Sequence, residues 1–295
     1  PALLSWGIRA AAVLLSLIVS AVVIYSITKM NPLKVYGAML EGAFGSQRKI
    51  WITVRDTMSL LCIGVALAPA FKMRFWNIGA EGQYVVGTLA ACIVGVFVKV
   101  PAVIHVPLCL IAAALAGGLW SMIVAVLKVK RGINEVLSFI MFNWIAYYLS
   151  NYVVNIPAVH KEGGGEATKD ILESATMLIR SESLQEVLGS GASYNIFVAV
   201  IAAVVIAFIL NRTTLGYKLK AVGFNRHAAE YGGINSNREI MTAMSISGAL
   251  AGMGGACQLM GMGMRISQFS SQESFGFQGI TVALIGSTNP IGCIF

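Results

Sequence analysis

Apolar residues in this chain come in long blocks divided by short polar breaks, a pattern that neither amphipathic surface helices nor alternating strands produce. The first block runs from Ile8 to Ile27, with Arg9 at its start, and Asn31-Pro32 then breaks the helix. Further blocks are Trp51 to Phe71, with Pro69 near its end, Ile78 to Val98, Val103 to Leu127, Val136 to Ile156, Tyr194 to Leu210, Ile240 to Met262, and one beginning at Gly279. Several exceed the ~18 residues that argue for a transmembrane helix. The pattern therefore predicts an all-α, polytopic helical membrane protein with about eight spans. Leu33 to Phe44 is weakly amphipathic and reads equally well as an interfacial helix or as an ordinary connecting helix. The last block stops at Phe295, and because a span should not end inside a membrane, the natural protein is expected to continue with further spans.

The breaks between blocks carry the charge. Charged residues make up only 12% of the 295 positions, against 57% hydrophobic ones, about half the charged share of a soluble domain. The net charge of +8 sits mostly in loops, as membrane topology and anionic lipid head groups favour, so it does not imply nucleic-acid binding. If spans alternate, the N-terminus, loop 72–77, the basic turn Lys128, Lys130, Arg131 and the stretch Arg212 to Arg238 face the cytoplasm. The acidic segment 157–192, with Glu162, Glu166, Asp170, Glu173, Glu182 and Glu186, then lies outside, and its glycines and charges predict at least partial flexibility. Basic residues between Lys29 and Arg55 oppose this assignment, which a re-entrant segment in the first hundred residues would reconcile. The five cysteines (Cys62, Cys92, Cys109, Cys257, Cys293) all fall in apolar blocks, predicting buried free thiols and no disulfide framework.

Three stretches place polar residues where an apolar block begins or runs. FWNIGAEGQ, residues 75–83, sets Asn77, Glu81 and Gln83 among glycines at the mouth of a span. A carboxylate at membrane depth costs roughly 2.5–3.5 kcal/mol on insertion scales unless it meets water or a partner. Either this is a broken or re-entrant helix lining a cavity, or Glu81 starts a helix and is stabilised by its dipole and by Arg74. In RGINEVLSFIMFN, residues 131–143, Asn134 reads as an N-cap and Glu135 as a first-turn acid. Asn143 reads as an interhelical hydrogen-bonding group or as a solute contact. SFGFQGITVALIG, residues 274–286, repeats the order of the first motif, so Phe75 with Gly79 and Phe275 with Gly279 are candidate equivalent points of an internal two-fold repeat, with Gln278 the polar residue of the second.

The stretch Arg212 to Arg238 contains a further short helix, Arg226 to Gly233, with Asn225 as N-cap and Gly232-Gly233 as terminator. It reads as a handle for a soluble partner or as an ordinary basic loop. No phosphate-binding loop of the Walker type, no HExxH and no Cys/His cluster occurs, so neither ATP hydrolysis by this chain nor a metal site is expected.

Taken together, FWNIGAEGQ at 75–83, RGINEV at 131–136, TTLGYKLKAVGFNRHAAEYGGIN at 213–235 and SGALAGMGG at 247–255 resemble the permease subunits of bacterial ABC importers. The branch is the one that handles nucleosides and simple sugars and is related to branched-chain amino acid permeases. The resemblance implies one transmembrane permease domain over 1–295, with 157–192 an external loop and 212–238 a cytoplasmic coupling loop. Its coupling helix, carried by Asn225, Arg226, Ala228, Ala229, Glu230, Gly233 and Ile234, would dock on a cytoplasmic ABC ATPase that binds ATP-Mg, while this chain binds no cofactor. A second permease chain, giving a heterodimer, and an extracytoplasmic substrate-binding protein are implied as well, with this chain a multi-pass protein of the bacterial cytoplasmic (inner) membrane. Asn77, Glu81, Gln83, Asn143 and Gln278 are the candidate pathway residues. Nucleosides, riboflavin-like compounds and sugars all fit the branch. The competing reading is a self-contained secondary transporter or channel that uses Glu81 as a proton or ion site.

Overall fold

The computed structural model describes residues 2–294 apart from 164, 180, 182 and 186–191, and the side chains of residues 2–6, 8 and 9 are also outside it. The expected acids Glu182 and Glu186, and the side chains of Ile8 and Arg9, therefore lie outside the described residues. The helices are α1 (Ala2–Thr28), α2 (Pro32–Phe44), α3 (Gln47–Lys72), α4 (Ala80–Phe97), α5 (Ala102–Arg131), α6 (Glu135–Val154), α7 (Asn195–Arg212), α8 (Thr214–Phe224), α9 (Arg226–Tyr231), α10 (Ser236–Gln258, extended by a π turn Leu259–Gly263) and α11 (Phe275–Ile285). Among the described residues the only β pairings are isolated bridges.

Six of these helices, α1, α3, α4, α5, α7 and α10 with its π turn, are long and apolar enough to cross a membrane. At 20 residues α6 also has the length, but its asparagines and tyrosines dilute its apolarity. The block at Gly279 is different: α11 has 11 residues, about 16 Å, or half the hydrocarbon thickness. It begins four residues earlier than the apolar run, because the chain must first be capped before it can turn helical.

Local chemistry sets most boundaries. Asn31 accepts from Leu33 N ahead of Pro32, and Ser46 caps α3 through Lys49 N. Gly132, at φ 66°, ends α5 in the left-handed region, and Asn134 caps α6 through Val136 N and Leu137 N. Lys128 and Glu135 close that turn with a 2.6 Å ion pair. The α2 helix is held by a 2.6 Å bond between Ser20 Oγ and Tyr36 Oη.

The bundle is built around α10, which packs on α5, α4 and α3. Small residues allow backbone-to-backbone approach there. A Cβ at Gly252 would land on Ala113 O, one at Gly117 on Gly248 O, and one at Gly87 on Gly252 Cα. In a bilayer, where hydrophobic burial gives little drive between helices, such close dispersion contact is what holds them. The five cysteines are buried and free.

Over its described residues the segment 157–192 folds onto one end of the bundle, with Ile171, Ala175 and Met177 buried. Its backbone pairs with distant chain: Thr168 N donates to Ile266 O, Ile171 N to Met264 O and Met177 N to Met260 O, all at 2.8 Å. Buried His105 joins it through Ser174 Oγ at 2.8 Å.

Candidate functional site

Two irregular segments leave the ends of the bundle and meet inside it. The first follows α3. Arg74 takes φ 56°, the turn that sends residues 75–79 inward to the start of α4. Asn77 there donates to Ser247 Oγ at 2.7 Å, and Ser247 lies eleven residues from either end of α10. The backbone around Asn77 has thus entered the bundle by about 16 Å. Non-helical backbone at that depth must be satisfied by protein, and it is. Asn77 and Gln83 form a reciprocal amide pair: Asn77 Nδ2 donates to Gln83 Oε1 at 3.0 Å and Gln83 Nε2 to Asn77 Oδ1 at 2.9 Å. Gln83 Nε2 also donates to Ser121 Oγ at 3.2 Å, and Gly79 N donates to Asn77 Oδ1 at 3.1 Å. Both amides are fully buried.

Asn143, eight residues into α6, clamps the same turn. Its Oδ1 accepts from Gly82 N at 2.9 Å and its Nδ2 donates to Ile78 O at 3.1 Å. The interhelical reading of this residue is the one the geometry shows.

The second segment, 264–274, descends from the end of the bundle covered by 157–179. Phe269 O accepts from Tyr147 Oη and Asn151 Nδ2, and Phe269 N donates back to Asn151 Oδ1. Five residues on, Ser274 is the N-cap of α11 with φ 67°, and its own side chain makes no capping bond. Glu81 supplies the cap instead. Its Oε1 accepts from Ser274 N at 2.8 Å and its Oε2 from Gly276 N at 2.6 Å. Glu81 is 1% exposed, and its charge lies at the positive end of α11. Tyr84 stacks on Phe275 with ring centroids 5.3 Å apart, and a Cβ at Gly276 would strike the Glu81 backbone. The two sequence motifs thus touch, the first capping the second.

Of the five candidate pathway residues, the structure gathers Asn77, Glu81, Gln83 and Asn143 into this buried knot, whereas Gln278 is exposed on α11. Sequence reading missed Ser121 and Ser247, the hydroxyls that complete the amide pair. The available signal was a serine near glycine within an apolar block, Gly117-Gly118 ahead of Ser121 and Ser247-Gly248.

At the opposite end of the bundle, α8 and α9 form a knob. Asn225 Oδ1 accepts from Ala228 N at 3.1 Å, and Gly233, at φ 83°, reverses the chain after α9. Arg226 bonds Glu230 at 3.1 Å and Asn237 at 2.8 Å. The hydrogen bond from Arg226 holds the Glu230 carboxyl below its ordinary range. Ala229 is buried while Ala228 is exposed, and Ile234 is half-buried. A groove of about 450 Å³ runs between α8 and α9, lined by Tyr217, Ala221, Phe224, Ala228, Gly232 and Ile234 among others. Tyr217, Phe224 and Tyr231 project to solvent. Beneath, a Cβ at Gly223 would fall on Lys72 O, so α8 rests where α3 ends and the inward segment begins. Lys218 approaches buried Glu239 of α10 at 4.0 Å.

Residues 49–295 match the family model described as branched-chain amino acid transport system / permease component. The chain is 40% identical over 261 residues to the guanosine ABC transporter permease protein NupP of Bacillus subtilis, covering 88% of this chain and 73% of that one. It is 31% identical over 270 residues to the nucleoside ABC transporter permease protein NupB of Lactococcus lactis, covering 90% and 74%. It is 29% identical over 299 residues to the glucose ABC transporter permease protein TsgB13 of Haloferax volcanii, covering 99% and 77%. No solved structure matches the chain.

Proposed function

The chain belongs to the family of branched-chain amino acid transport system permease components, and we propose that it forms part of the pore of an ATP-driven importer whose solute is a nucleoside. It is a multi-pass protein of the cytoplasmic membrane and the permease subunit of an ABC importer of the nucleoside and sugar branch. The observation that carries the nucleoside reading is the 40% identity to a guanosine permease across 88% of this chain.

In this reading α9 is the coupling helix. Asn225, Gly233 and Ile234 fix its ends, the Arg226–Glu230 pair stiffens it, and Ala228 presents a flat face beside the exposed aromatics. ATP-Mg bound by a cytoplasmic ATPase closes that partner and displaces the α8–α9 knob. Because α8 rests on Lys72 and Met73, the displacement reaches the root of the inward segment. Asn77, Gln83 and Asn143 hold that segment as one body, and Glu81 passes its movement to α11, which carries Gln278. A second, homologous and non-identical permease chain completes the pore, and an extracytoplasmic binding protein delivers solute to the end covered by 157–179. Lipid covers the rest, including α1, whose spanning residues bury nothing within this chain.

The test is uptake of tritiated guanosine into proteoliposomes holding the full-length protein with its ATPase, second permease and binding protein. Uptake that requires enclosed ATP and stops with vanadate supports the importer. Uptake by this chain without an ATPase, driven by a proton or sodium gradient, overturns it in favour of a secondary transporter.

A further inference from the structure

We propose that residues 270–281 form the solute-facing wall of the pathway, and that this wall admits neutral hydroxyl-rich solutes while rejecting their phosphorylated forms. The inference rests on the importer reading and goes beyond it by naming a surface and its charge selectivity.

Depth comes first. Phe269 is tied to Tyr147 and Asn151, which precede the end of α6 by seven and three residues. Ser274 is tied to Glu81, which precedes the end of α4 by sixteen residues, about 24 Å. Residues 270–273 hang between these anchors, within the membrane's thickness. Gln278 is one helical turn past Ser274.

Exposure comes second. Ser270, Ser271, Glu273, Gln278 and Thr281 are all exposed. Hydroxyls, an amide and a carboxylate at that depth are not left against lipid tails, since each would forgo its hydrogen bonds. They meet water, solute or other protein of the assembled pore, and the importer reading places solute there. The remaining exposed face of α11 adds Phe277, Leu284 and Ile285, an apolar edge on which a ring could rest.

Charge comes third. From Ile266 to Ile285 the chain has no lysine or arginine, and Glu273 is its one acid. Glu273 receives a hydrogen bond from the Tyr84 phenol, and buried Glu81 lies close enough to interact with it electrostatically. With no basic residue in the strip and Glu273 as its acid, the surface offers hydrogen-bond acceptors to a hydroxyl and no cation to balance a phosphate in a low-dielectric region. A ribose or hexose hydroxyl donates to such groups, whereas a phosphate monoester is repelled.

The experiment uses the assembled full-length transporter in inside-in vesicles with Ser271→Cys, Gln278→Cys and Thr281→Cys, each close in size to the parent or on an open face. The native cysteines are buried and give the blank, and Leu115→Cys, on the exposed face of α5, is the lipid-facing control. The probe is a membrane-impermeant, negatively charged thiosulfonate alongside a neutral one of similar size. The expected result is that Cys at 271 and 278 reacts with the neutral reagent at least tenfold faster than with the anionic one, that guanosine with loaded binding protein slows the reaction, and that Cys at 115 stays silent. Glu273→Gln should narrow the reagent preference several-fold. If ATP-dependent uptake is intact and neither position reacts in any state, the wall is misassigned while the importer stands. If the positions react without preference for the neutral reagent, the charge selectivity fails. If they react as expected but no nucleoside is taken up, the surface stands and the nucleoside reading falls.

Discussion

Replacing Glu81 by Gln tests whether this carboxylate is a structural cap or an ion site. In the structure both oxygens accept backbone N–H groups, from Ser274 at 2.8 Å and Gly276 at 2.6 Å, and the residue is 1% exposed. The geometry calls for an acceptor at both positions. Gln keeps the shape and one acceptor, but turns an –NH2 toward the other N–H. One charge-assisted bond worth about 1.5–3 kcal/mol is lost, and the N–H left behind costs about 1–3 kcal/mol more. Allowing for partial relaxation, the substitution should destabilise by roughly 2–4 kcal/mol, which corresponds to about 5–10 °C in melting temperature by the scaling for mid-sized proteins. The assay is thermal unfolding of the full-length protein in lipid nanodiscs, followed by tryptophan fluorescence, with protease cleavage within 264–274 as the local readout. The mutant should melt earlier and be cut faster, and ATP-driven uptake should fall because α11 is loose. An unchanged melt and cleavage rate, with uptake now uncoupled from a proton gradient, would refute the cap and restore Glu81 as an ion site.

Other expectations follow from single contacts. Gly252→Val sets a branched side chain where even a Cβ strikes Ala113 O, so α10 must separate from α5, and the protein should fail to accumulate or lose more than about 3 kcal/mol. Gly233→Ala meets open space but keeps φ at 83°, so it should cost only about 1–2 kcal/mol of local strain, visible as weaker ATPase retention with normal insertion. Phe224→Ser with Tyr231→Ser alters two highly exposed side chains, so melting should shift little while co-purification of the ATPase drops at least tenfold. A normal amount of bound ATPase would remove α8–α9 as the docking element. The Arg226–Glu230 pair is exposed, and Arg226 lowers the carboxyl's proton affinity. Its contribution is therefore present above the unfolded carboxylate range and fades only as pH falls through the lowered value, so ATPase retention should hold from neutral to mildly acidic pH and weaken below, with a parallel loss in high salt.

The parts of this protein that could be read from sequence are those decided within a few residues. Asn225 caps α9 and Gly233 reverses the chain because each acts on backbone no more than a turn away, and the same holds for Asn134 at α6 and Asn31 at α2. The packing of the described part of 157–192 could not be read from sequence, because its apolar positions, Ile171 and Met177 among them, follow no period. Their partners, Met260, Met264 and Ile266, lie some ninety residues on, so composition showed only glycines and charge. The same distance hid the role of Glu81. From the sequence it stood at the start of its own helix, yet the dipole it serves belongs to α11, nearly two hundred residues later.

That separation bears on how the pathway works. A polar residue in an apolar span is normally taken as a solute contact, because leaving it in lipid is costly. Here the cost is met inside the subunit. Asn77 and Gln83 use all four amide N–H donors on each other and on Ser121 and Ser247, so they have no donor left for a solute. A group so saturated fixes backbone position, and the backbone it fixes is the turn between α3 and α4 that begins directly above α8. The residues with unused hydrogen-bonding capacity are on the other segment, at Ser270, Ser271 and Gln278. In the importer proposed above the two motifs would divide the work: the first would convert movement at the α8–α9 knob into displacement of Glu81, and the second, capped by that carboxylate, would carry the displacement to the surface proposed for the solute.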